Sequence, residues 1–377
     1  MATARPRPAP HLPPPSVRRW VCRRLAAWFV RYRRDLPWRR DRDPYRIWVS
    51  EVMLQQTRVA AVVPYFERFL RRFPTVAALA AADEQDVLRV WEGLGYYRRA
   101  RDLHKSARLL AAEHAAALPD DPAVVRRLPG FGEYTCNAVL SQAFDRRLPI
   151  LEANSQRVLS RLFGRRDDPR GGAARRWLWR AAERVLPKKR AGEFNQALME
   201  LGALVCTPAA PRCGECPLAS ACEAKRLGLQ GQIPARTPPP VTVAVREVAV
   251  VVRRGKKVLL SQRPDEANRW AKMWEFPHVE LAEGETHEAA AERCLRELVR
   301  VEAELGGEIV TIRHGVTRFA ITMVCLEASH VAGRFRSDFY RAGVWLAPAD
   351  LAAYPVSAPQ RRLIRELTRP DRQRGLF

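Results

Sequence analysis

The spacing of apolar residues changes once along this chain. From about Val17 to Leu229, apolar residues recur at intervals of three and four, as in VCRRLAAWFVRY, IWVSEVMLQQ and DEQDVLRVWEGL. That spacing is typical of helices with one buried face. Beyond residue 246, short apolar runs such as VAVVV, VLLSQR and FAITMVCLE surround one helical stretch, EAAAERCLRELV. This second pattern favours strands with a helix between them. The sequence therefore predicts an all-α domain over 17–229 and an α+β domain over 246–368.

The segments outside these two domains have a different composition. Residues 1–16 are rich in arginine and proline, and no acidic residue precedes Asp35, so we expect a disordered basic arm. Residues 230–245 contain three consecutive prolines, which favour an extended, semi-rigid linker. Residues 369–377 form a short tail. A length of 377 residues suits this arrangement of two domains, at about 150 residues each.

Charge adds a first indication of the partner. The chain carries 65 Lys and Arg against 41 Asp and Glu, a net charge of +24. Such a surplus favours a polyanion, with nucleic acid first and an anionic membrane second, although an arginine-rich genome could produce part of it. No apolar run reaches the roughly 18 residues of a spanning helix, and no signal peptide is recognisable. We therefore expect a cytoplasmic protein that does not bind membranes.

Four of the eight cysteines are clustered. Cys206, Cys213, Cys216 and Cys222 are spaced C-x6-C-x2-C-x5-C over a loop at 206–222. In a protein kept reduced, four close thiols indicate a metal centre rather than disulfides. Zinc and an iron–sulfur cluster both accept four cysteines. Because four protein ligands leave no open position, a structural or DNA-positioning role is favoured over a catalytic one.

Two further motifs suggest chemistry on DNA. Gly130-Phe131-Gly132 precedes a helical stretch, and a Gly-x-Gly turn entering a helix exposes backbone N–H groups to an anion such as a DNA phosphate. Glu51 is followed by Val52, Met53 and Leu54 on another helix. A carboxyl group among apolar neighbours is desolvated, and this makes it a usable proton donor near neutral pH.

These motifs occur in longer stretches that resemble one family. The stretches are LPWRRDRDPYRIWVSEVMLQQTRVAAVVPYFERF, WEGLGYYRRARDLH, LPGFGEYTCNAVLS and FNQALMELGALVC. Together with the cysteine spacing they resemble the adenine DNA glycosylases of the MutY family. That family belongs to the helix-hairpin-helix superfamily, which also contains endonuclease III. The resemblance runs from about Arg18 to Cys222. It continues more weakly through 246–368, which resembles the family's Nudix-like lesion-recognition domain.

The resemblance implies an activity and a cofactor. The enzyme would be a hydrolase that removes adenine mispaired with 8-oxoguanine or guanine from duplex DNA, and the cysteines would hold one 4Fe-4S cluster. Glu51 matches the family's general acid, which protonates adenine at N7 and then activates water. The family's second carboxylate is an Asp in an Asp-Gly-Asn run, where this chain has Glu152-Ala153-Asn154. We assign the stabilisation of positive charge on the sugar to Glu152.

Tyr134 stands where the bifunctional lyases of the superfamily carry a lysine, and tyrosine cannot form a Schiff base. A monofunctional glycosylase is implied, with Tyr134 and Asn154 orienting the catalytic carboxylate. Gln56 and Tyr96 match residues that the family inserts beside the orphaned base after the adenine is flipped out. Further matches near the adenine pocket or the lesion strand are Arg34, Trp38, Arg39, Leu54 and Val59.

The lesion-reading loop departs from the family pattern. Family members use Phe-Ser-His there, whereas this chain keeps only a hydroxyl, in Thr317, followed by Arg318, which could contact guanine acceptors. The expected partner is duplex DNA with A:8-oxoguanine or A:G mispairs, bound by a monomer associated with a bacterial nucleoid.

Three alternatives remain at this point. The first is a bifunctional endonuclease III-like lyase. The second is a mismatch-binding protein with impaired catalysis, because the extra methylene of Glu152 moves its carboxylate by about 1 Å. The third, a Nudix hydrolase, is disfavoured because Arg300 and Val301 follow Arg296-Glu297 where paired glutamates would hold metal.

Overall fold

The structure is a computed structural model that describes residues 12–235, 241–267 and 269–369. The described residues form two compact units. The first takes the chain up to Ala80 and again from Lys105 to the linker, and the second takes Ala81–His104 and the chain beyond the linker. Most of the predicted arm, the three prolines of the linker and nearly all of the tail lie outside the described residues.

The part of the chain before the linker is helical. Its α-helices are α1 (Pro15–Tyr32), α2 (Pro44–Leu54), α3 (Val59–Arg72), α4 (Val76–Ala81), α5 (Glu84–Trp91), α6 (Arg98–Glu113), α7 (Pro122–Val125), α8 (Glu133–Phe144), α9 (Ala153–Leu162), α10 (Gly172–Val185), α11 (Ala191–Leu204) and α12 (Glu223–Arg226). Short 3-10 turns cover Pro37–Arg39 and Ala219–Ala221. The predicted all-α region is confirmed, and its first helix begins at Pro15 rather than at residue 17.

The part beyond the linker is a mixed sheet with helices. The strands are β1 (Val243–Arg254), β2 (Lys257–Gln262), β3 (Trp274–Glu275), β4 (His278–Glu280), β5 (Glu302–Val316), β6 (Phe319–Ala332) and β7 (Ala342–Leu346). Helix α13 (His287–Arg293) continues into a π-helical turn at Cys294–Val299, a 3-10 turn covers Pro348–Ala353, and α14 (Ala358–Leu367) ends the described fold. This arrangement confirms the predicted α+β region.

Strand β1 lies at the centre of the sheet. It pairs in parallel with β6 and antiparallel with β2 and β4, while β5 and β6 form an antiparallel hairpin. Ala249 and Val251 of β1 pack on one face with Leu363 of α14. Val248 and Val250 pack on the other face with residues of α13. Both faces of β1 are therefore covered, which explains its uninterrupted apolar run over 248–252.

The segment 81–104, which lies inside the predicted helical domain, is grouped with the second unit. Arg361 of α14 donates to both carboxylate oxygens of Glu92, at 2.5 Å and 2.7 Å. The indole of Trp274 donates to the side chain of Gln85 at 3.1 Å. Glu92 and Arg361 are both largely buried. Removing either residue would leave the charge of the other buried and unpaired, which would destabilise the segment.

The first unit is built around two buried helices. Nearly every residue of α2 from Tyr45 to Met53 is buried, and so are the residues of α8 from Thr135 to Gln142. Helix α11 packs against α8 so closely that a Cβ atom on Gly192 would lie 2.1 Å from the carbonyl oxygen of Ser141. Across the residues that the structure describes, no helix is both long and apolar enough to cross a membrane.

We expect Gly192→Ala to destabilise the first unit by about 2 kcal/mol or more, because the added methyl group must push two helix backbones apart. Thermal unfolding followed by circular dichroism measures the loss. Gly172→Ala is the matched control, since the nearest neighbour of its Cβ is a flexible arginine end at 3.4 Å. Equal melting temperatures for the two variants would contradict the role assigned to Gly192.

Candidate active site

One cavity of the first unit brings the four predicted catalytic residues together with five of the predicted DNA-binding residues. Its volume is about 180 Å³. Nine of the residues singled out in the sequence line it, namely Arg34, Trp38, Arg39, Glu51, Leu54, Val59, Tyr134, Glu152 and Asn154. The two carboxylates predicted to cooperate therefore face a common space.

Glu51 is held out of water on the buried helix α2. Asp43 accepts hydrogen bonds at the N-terminus of this helix, and Glu51 itself is only 5% exposed. The hydroxyl of Tyr134 donates to its Oε2 at 2.8 Å, and the amide of Gln142 donates to its Oε1 at 2.7 Å. Burial raises the pKa of Glu51, and the two hydrogen bonds together with the charge of Arg39 oppose that rise only in part. The carboxyl group is thus suited to carry a proton.

Glu152 is the N-cap of α9. Its two carboxylate oxygens accept from the backbone N–H groups of Asn154 and Ser155, each at 2.7 Å, and the Ser155 hydroxyl accepts in return from the backbone N–H of Glu152. This is a capping box, with glutamate in the place usually taken by a shorter side chain. Burial raises the pKa of Glu152, as does the charge of Glu51, whereas the two backbone donors and Arg157 favour the ionised form.

Asn154 reaches the carboxylate of Glu152 through its main chain. Its side-chain oxygen instead accepts from the Nη2 atom of Arg157 at 2.7 Å. The same guanidinium donates to the backbone oxygens of Gly202, at 2.8 Å, and of Cys206, at 2.6 Å. Arg157 therefore joins the beginning of α9, which carries Glu152, to the first cysteine of the cluster loop.

A third carboxylate, which the sequence did not single out, lies at the edge of the cavity. Glu200 of α11 is 1% exposed and accepts two side-chain hydrogen bonds from Arg34, both at 2.8 Å, and one from Arg39 at 2.9 Å. Burial alone would raise the pKa of Glu200, but the hydrogen bonds from Arg34 and Arg39 outweigh it and lower that pKa to about 2. The group is ionised and fixed.

Gly130 and Gly132 form the predicted turn before α8. Gly130 has a φ of 78°, which favours glycine. Gly132 is the N-cap of α8, so no side chain covers the first N–H groups of this helix. A Cβ atom on Gly132 would meet nothing within 4 Å. Packing within the chain therefore does not require glycine at 132, and the turn leaves room for another molecule to approach the backbone.

Three residues predicted to touch DNA have left-handed backbones. They are Gln56, Tyr96 and Thr317, with φ angles of 58°, 49° and 54°. Gln56 is exposed, and Tyr96 is 51% exposed. Thr317 and Arg318 are exposed at the turn between β5 and β6, where the Thr317 hydroxyl donates to the oxygen of Val316 at 2.7 Å. Such conformations are uncommon outside glycine, and they concentrate at functional sites.

The four predicted ligand cysteines line one small cavity, about 20 Å³, together with Arg161, Arg212 and Lys225. Burial raises the pKa of Cys216 to about 11, and the nearby thiols of Cys206, Cys222 and Cys213 contribute to that rise. The Nη1 atom of Arg161 lies 3.4 Å from the Sγ atom of Cys206. Among the described residues, no set of three or more His, Cys, Asp or Glu side chains is arranged to hold a single metal ion.

Gln142, Arg157 and Glu200 were missed in the sequence. Each lies on a helix that has a buried face. A polar side chain at a position where the helical period places the buried face is a usable signal, because a buried polar group needs a partner. The identity of the partner cannot be found from the local pattern, since Gln142 pairs with a residue 91 positions away.

Two family models match this chain. Residues 49–184 match the HhH-GPD superfamily of base excision DNA repair proteins, and residues 247–366 match the NUDIX domain. A solved structure of a thermostable thymine-DNA glycosylase is 27% identical with a TM-score of 0.51, covering 56% of this chain and 98% of that one.

Curated relatives share one name. An adenine DNA glycosylase of Mycobacterium tuberculosis is 44% identical over 214 residues, which cover 55% of this chain and 70% of that protein. One from Mus musculus is 36% identical over 330 residues, covering 73% of this chain. The chain spans 40% to 63% of the mammalian relatives that it matches. It belongs to the adenine DNA glycosylase family, as the resemblance in its sequence predicted.

Proposed function

We propose that the protein hydrolyses the N-glycosidic bond of adenine in duplex DNA, where the adenine is mispaired with 8-oxoguanine or guanine. The observation that carries this proposal is the pair of carboxyl groups, the buried Glu51 and the half-buried Glu152, which line one cavity. Departure of a purine needs an acid for the leaving base and a carboxylate for the sugar, so two such groups with different surroundings suit the reaction.

Glu51 acts as the general acid. Its proton passes to N7 of adenine as the bond between C1′ and N9 breaks, which leaves an oxocarbenium ion on the sugar. The Glu51 carboxylate then accepts a proton from the water that adds to C1′, so the group returns to its starting form. Burial raises the pKa of the Tyr134 hydroxyl, as do the charges of Glu51 and Glu152, so this hydroxyl remains a hydrogen-bond donor throughout.

Glu152 supplies the negative charge beside the oxocarbenium ion. The two backbone donors hold its carboxylate in place, and they and the charge of Arg157 favour its ionised form against the effect of burial. The extra methylene relative to the aspartate of the family is taken up by the capping box, which fixes the longer side chain at the start of α9. This fixed position supports turnover over the mismatch-binding alternative.

The remaining predicted residues contact different parts of the DNA. Arg34, Arg39 and Glu200 present fixed donors and acceptors to the edge of the flipped adenine. The turn at Gly130 and Gly132 receives a backbone phosphate. Gln56 and Tyr96 enter the stack beside the orphaned base, and Thr317 with Arg318 contacts the strand opposite the adenine. We infer that the protein works as a monomer on the DNA of the bacterial nucleoid.

We infer that the four cysteines hold a 4Fe-4S cluster rather than zinc. Proteins of this family are generally iron–sulfur proteins, and the four cysteines line one cavity. Cys206, Cys213, Cys216 and Cys222 would hold the cluster, and Arg161, Arg212 and Lys225 would balance its charge. When bound, the cluster supplies a rigid support for the loop.

The assay that tests the function uses duplexes with adenine opposite 8-oxoguanine or guanine. Released adenine and strand breaks are measured with and without alkali. Because Tyr134 offers no amine, we expect adenine release and breaks in the adenine strand only after alkali. Nicking without alkali would support the lyase alternative, and tight binding without adenine release would support the mismatch-binding alternative.

The pH dependence tests the role of Glu51. Base release needs protonated Glu51, so the single-turnover rate should fall as pH rises through the raised pKa of this group. Tyr134→Phe removes a hydrogen bond that lowers the pKa, and the fall should therefore move to higher pH. Glu51→Gln should reduce the rate by about 10² to 10⁴-fold with little change in duplex affinity.

Tyr32→Phe is the matched control for Tyr134→Phe, because Tyr32 is 52% exposed and lies outside the cavity. Its pH profile should equal that of the unmodified protein. A profile of Tyr134→Phe that stays in place, or moves to lower pH, would contradict the assignment.

Arg157 and Arg161 should separate catalysis from cluster binding. Arg157 holds the side chain of Asn154 at the start of α9, next to Glu152, so Arg157→Met should slow adenine release. Its contact with Cys206 is to the main chain and not to the sulfur, so the brown colour of the purified protein should persist. Arg161 touches the sulfur of Cys206, so Arg161→Met should lower the iron content and the visible absorbance. Colourless unmodified protein that contains zinc would contradict the cluster itself.

A further inference from the structure

A second cleft in the first unit lies away from the candidate active site. It is formed by α1 and the loop between α10 and α11, and its volume is about 490 Å³. Its floor is apolar and includes Cys22, Ala26, Pro187 and Phe194. We call this cleft the basic groove, because its rim carries the six cations Arg18, Arg19, Arg23, Lys188, Lys189 and Arg190. It shares no lining residue with the active-site cavity.

Few carboxylates neutralise the charge of the rim cations. Glu193 is the one carboxylate among the residues that line the groove, and it pairs with Arg190 at 2.7 Å. In the part of the chain that the structure describes, the other five rim cations form no ion pair. Asp145, close by, is already engaged, since it accepts from the backbone N–H groups of Arg190 and Gly192 at 2.8 Å and 3.1 Å. Like charges this dense repel one another, so an acidic partner would be bound favourably.

The groove lies at the far end of α8 from the turn at Gly130 and Gly132. Helix α8 begins at Glu133, directly after that turn, and ends at Phe144. Its C-cap, Asp145, holds the first residues of α11, beside the groove. The length of α8 separates the two places by about 18 Å. The groove is therefore a separate place from the glycine turn, and the displacement experiment below decides whether a duplex also reaches it.

We propose that the basic groove binds an acidic peptide segment of a partner protein, anchored by an apolar side chain. The rim supplies charges for several carboxylates, and the floor supplies an apolar surface for one or two anchoring side chains. A volume of 490 Å³ is within the range of specific ligand pockets. A DNA backbone presents phosphates but no apolar anchor, so the floor favours a peptide.

The segments that flank the described part of the chain do not match the charge of the groove. Residues 1–11 contain Arg5 and Arg7 and no acidic residue, and residues 370–377 contain two arginines and a single aspartate. Because neither segment is acidic, we assign the groove to a segment of another protein.

The test uses the full-length protein and a fluorescein-labelled peptide of four aspartates followed by leucine and phenylalanine. Fluorescence anisotropy at about 150 mM salt should show saturable binding. Lys188→Glu with Lys189→Glu should weaken it by about tenfold or more. A peptide with serines in place of leucine and phenylalanine should also bind about tenfold more weakly, because it buries no apolar surface.

Arg175→Glu with Arg176→Glu is the matched control, since it makes the same change of charge on exposed residues of α10 outside the groove. It should leave peptide binding unchanged. Ala26→Phe fills the groove without changing its charge and should abolish the preference for the anchored peptide. Adenine release by the Lys188 and Lys189 double variant should equal that of the unmodified protein, so the outcome is independent of the proposed glycosylase activity.

The proposal is overturned if the anchored and serine peptides bind equally, if the control double variant loses as much affinity as the groove variant, or if no saturable binding occurs. Displacement of the peptide by an undamaged duplex, with equal weakening of duplex binding in the groove variant, would instead make the groove a DNA site.

Discussion

A carboxyl group kept out of water is the constraint on which the candidate site depends. Glu51 lies on a helix whose neighbouring residues are buried all round, so its side chain has no route to solvent except the cavity. A buried acid without partners would destabilise the fold, and the two donors from α8 meet that need without an ion pair. Neutral donors leave the pKa of Glu51 raised, whereas the arginines around Glu200 lower its pKa. One cavity thus contains one carboxyl group with a raised pKa, Glu51, and one with a lowered pKa, Glu200.

The sequence predicted the types of secondary structure well, because the spacing of apolar residues in a helix or strand is a local property of the chain. The apolar run in β1 and the three-four spacing of the helices are set by neighbouring residues, and both indicated the correct type of element. The residues lining the cavity were found through the family resemblance, which carries long-range information that spacing lacks. The pairs that hold the site were not found, because Arg34 and Glu200 are 166 positions apart. The side chain of Asn154 was expected at the carboxylate, but Arg157, one turn later on α9, holds its oxygen elsewhere.

The grouping of residues 81–104 with the second unit also escaped the sequence. Helical spacing identifies a buried face but not the surface that covers it, and the ion pair between Glu92 and Arg361 joins residues 269 positions apart. The exposed Tyr96 lies in this segment, on a left-handed backbone. Gln56 and Thr317, which are also predicted to contact DNA, share this left-handed conformation. Thr317 is the clearest case, since its branched side chain disfavours that conformation most.

The two roles of Glu152 affect how its conservation in evolution is interpreted. Its carboxylate both faces the reacting sugar in our proposal and satisfies the free N–H groups of α9, so selection for folding and selection for chemistry act on the same atoms. In a chain that had lost the reaction, an acid could still persist there, because a side-chain cap is worth about 1 kcal/mol to the helix. Persistence of that acid in a distant relative is therefore no measure of whether the relative still repairs DNA.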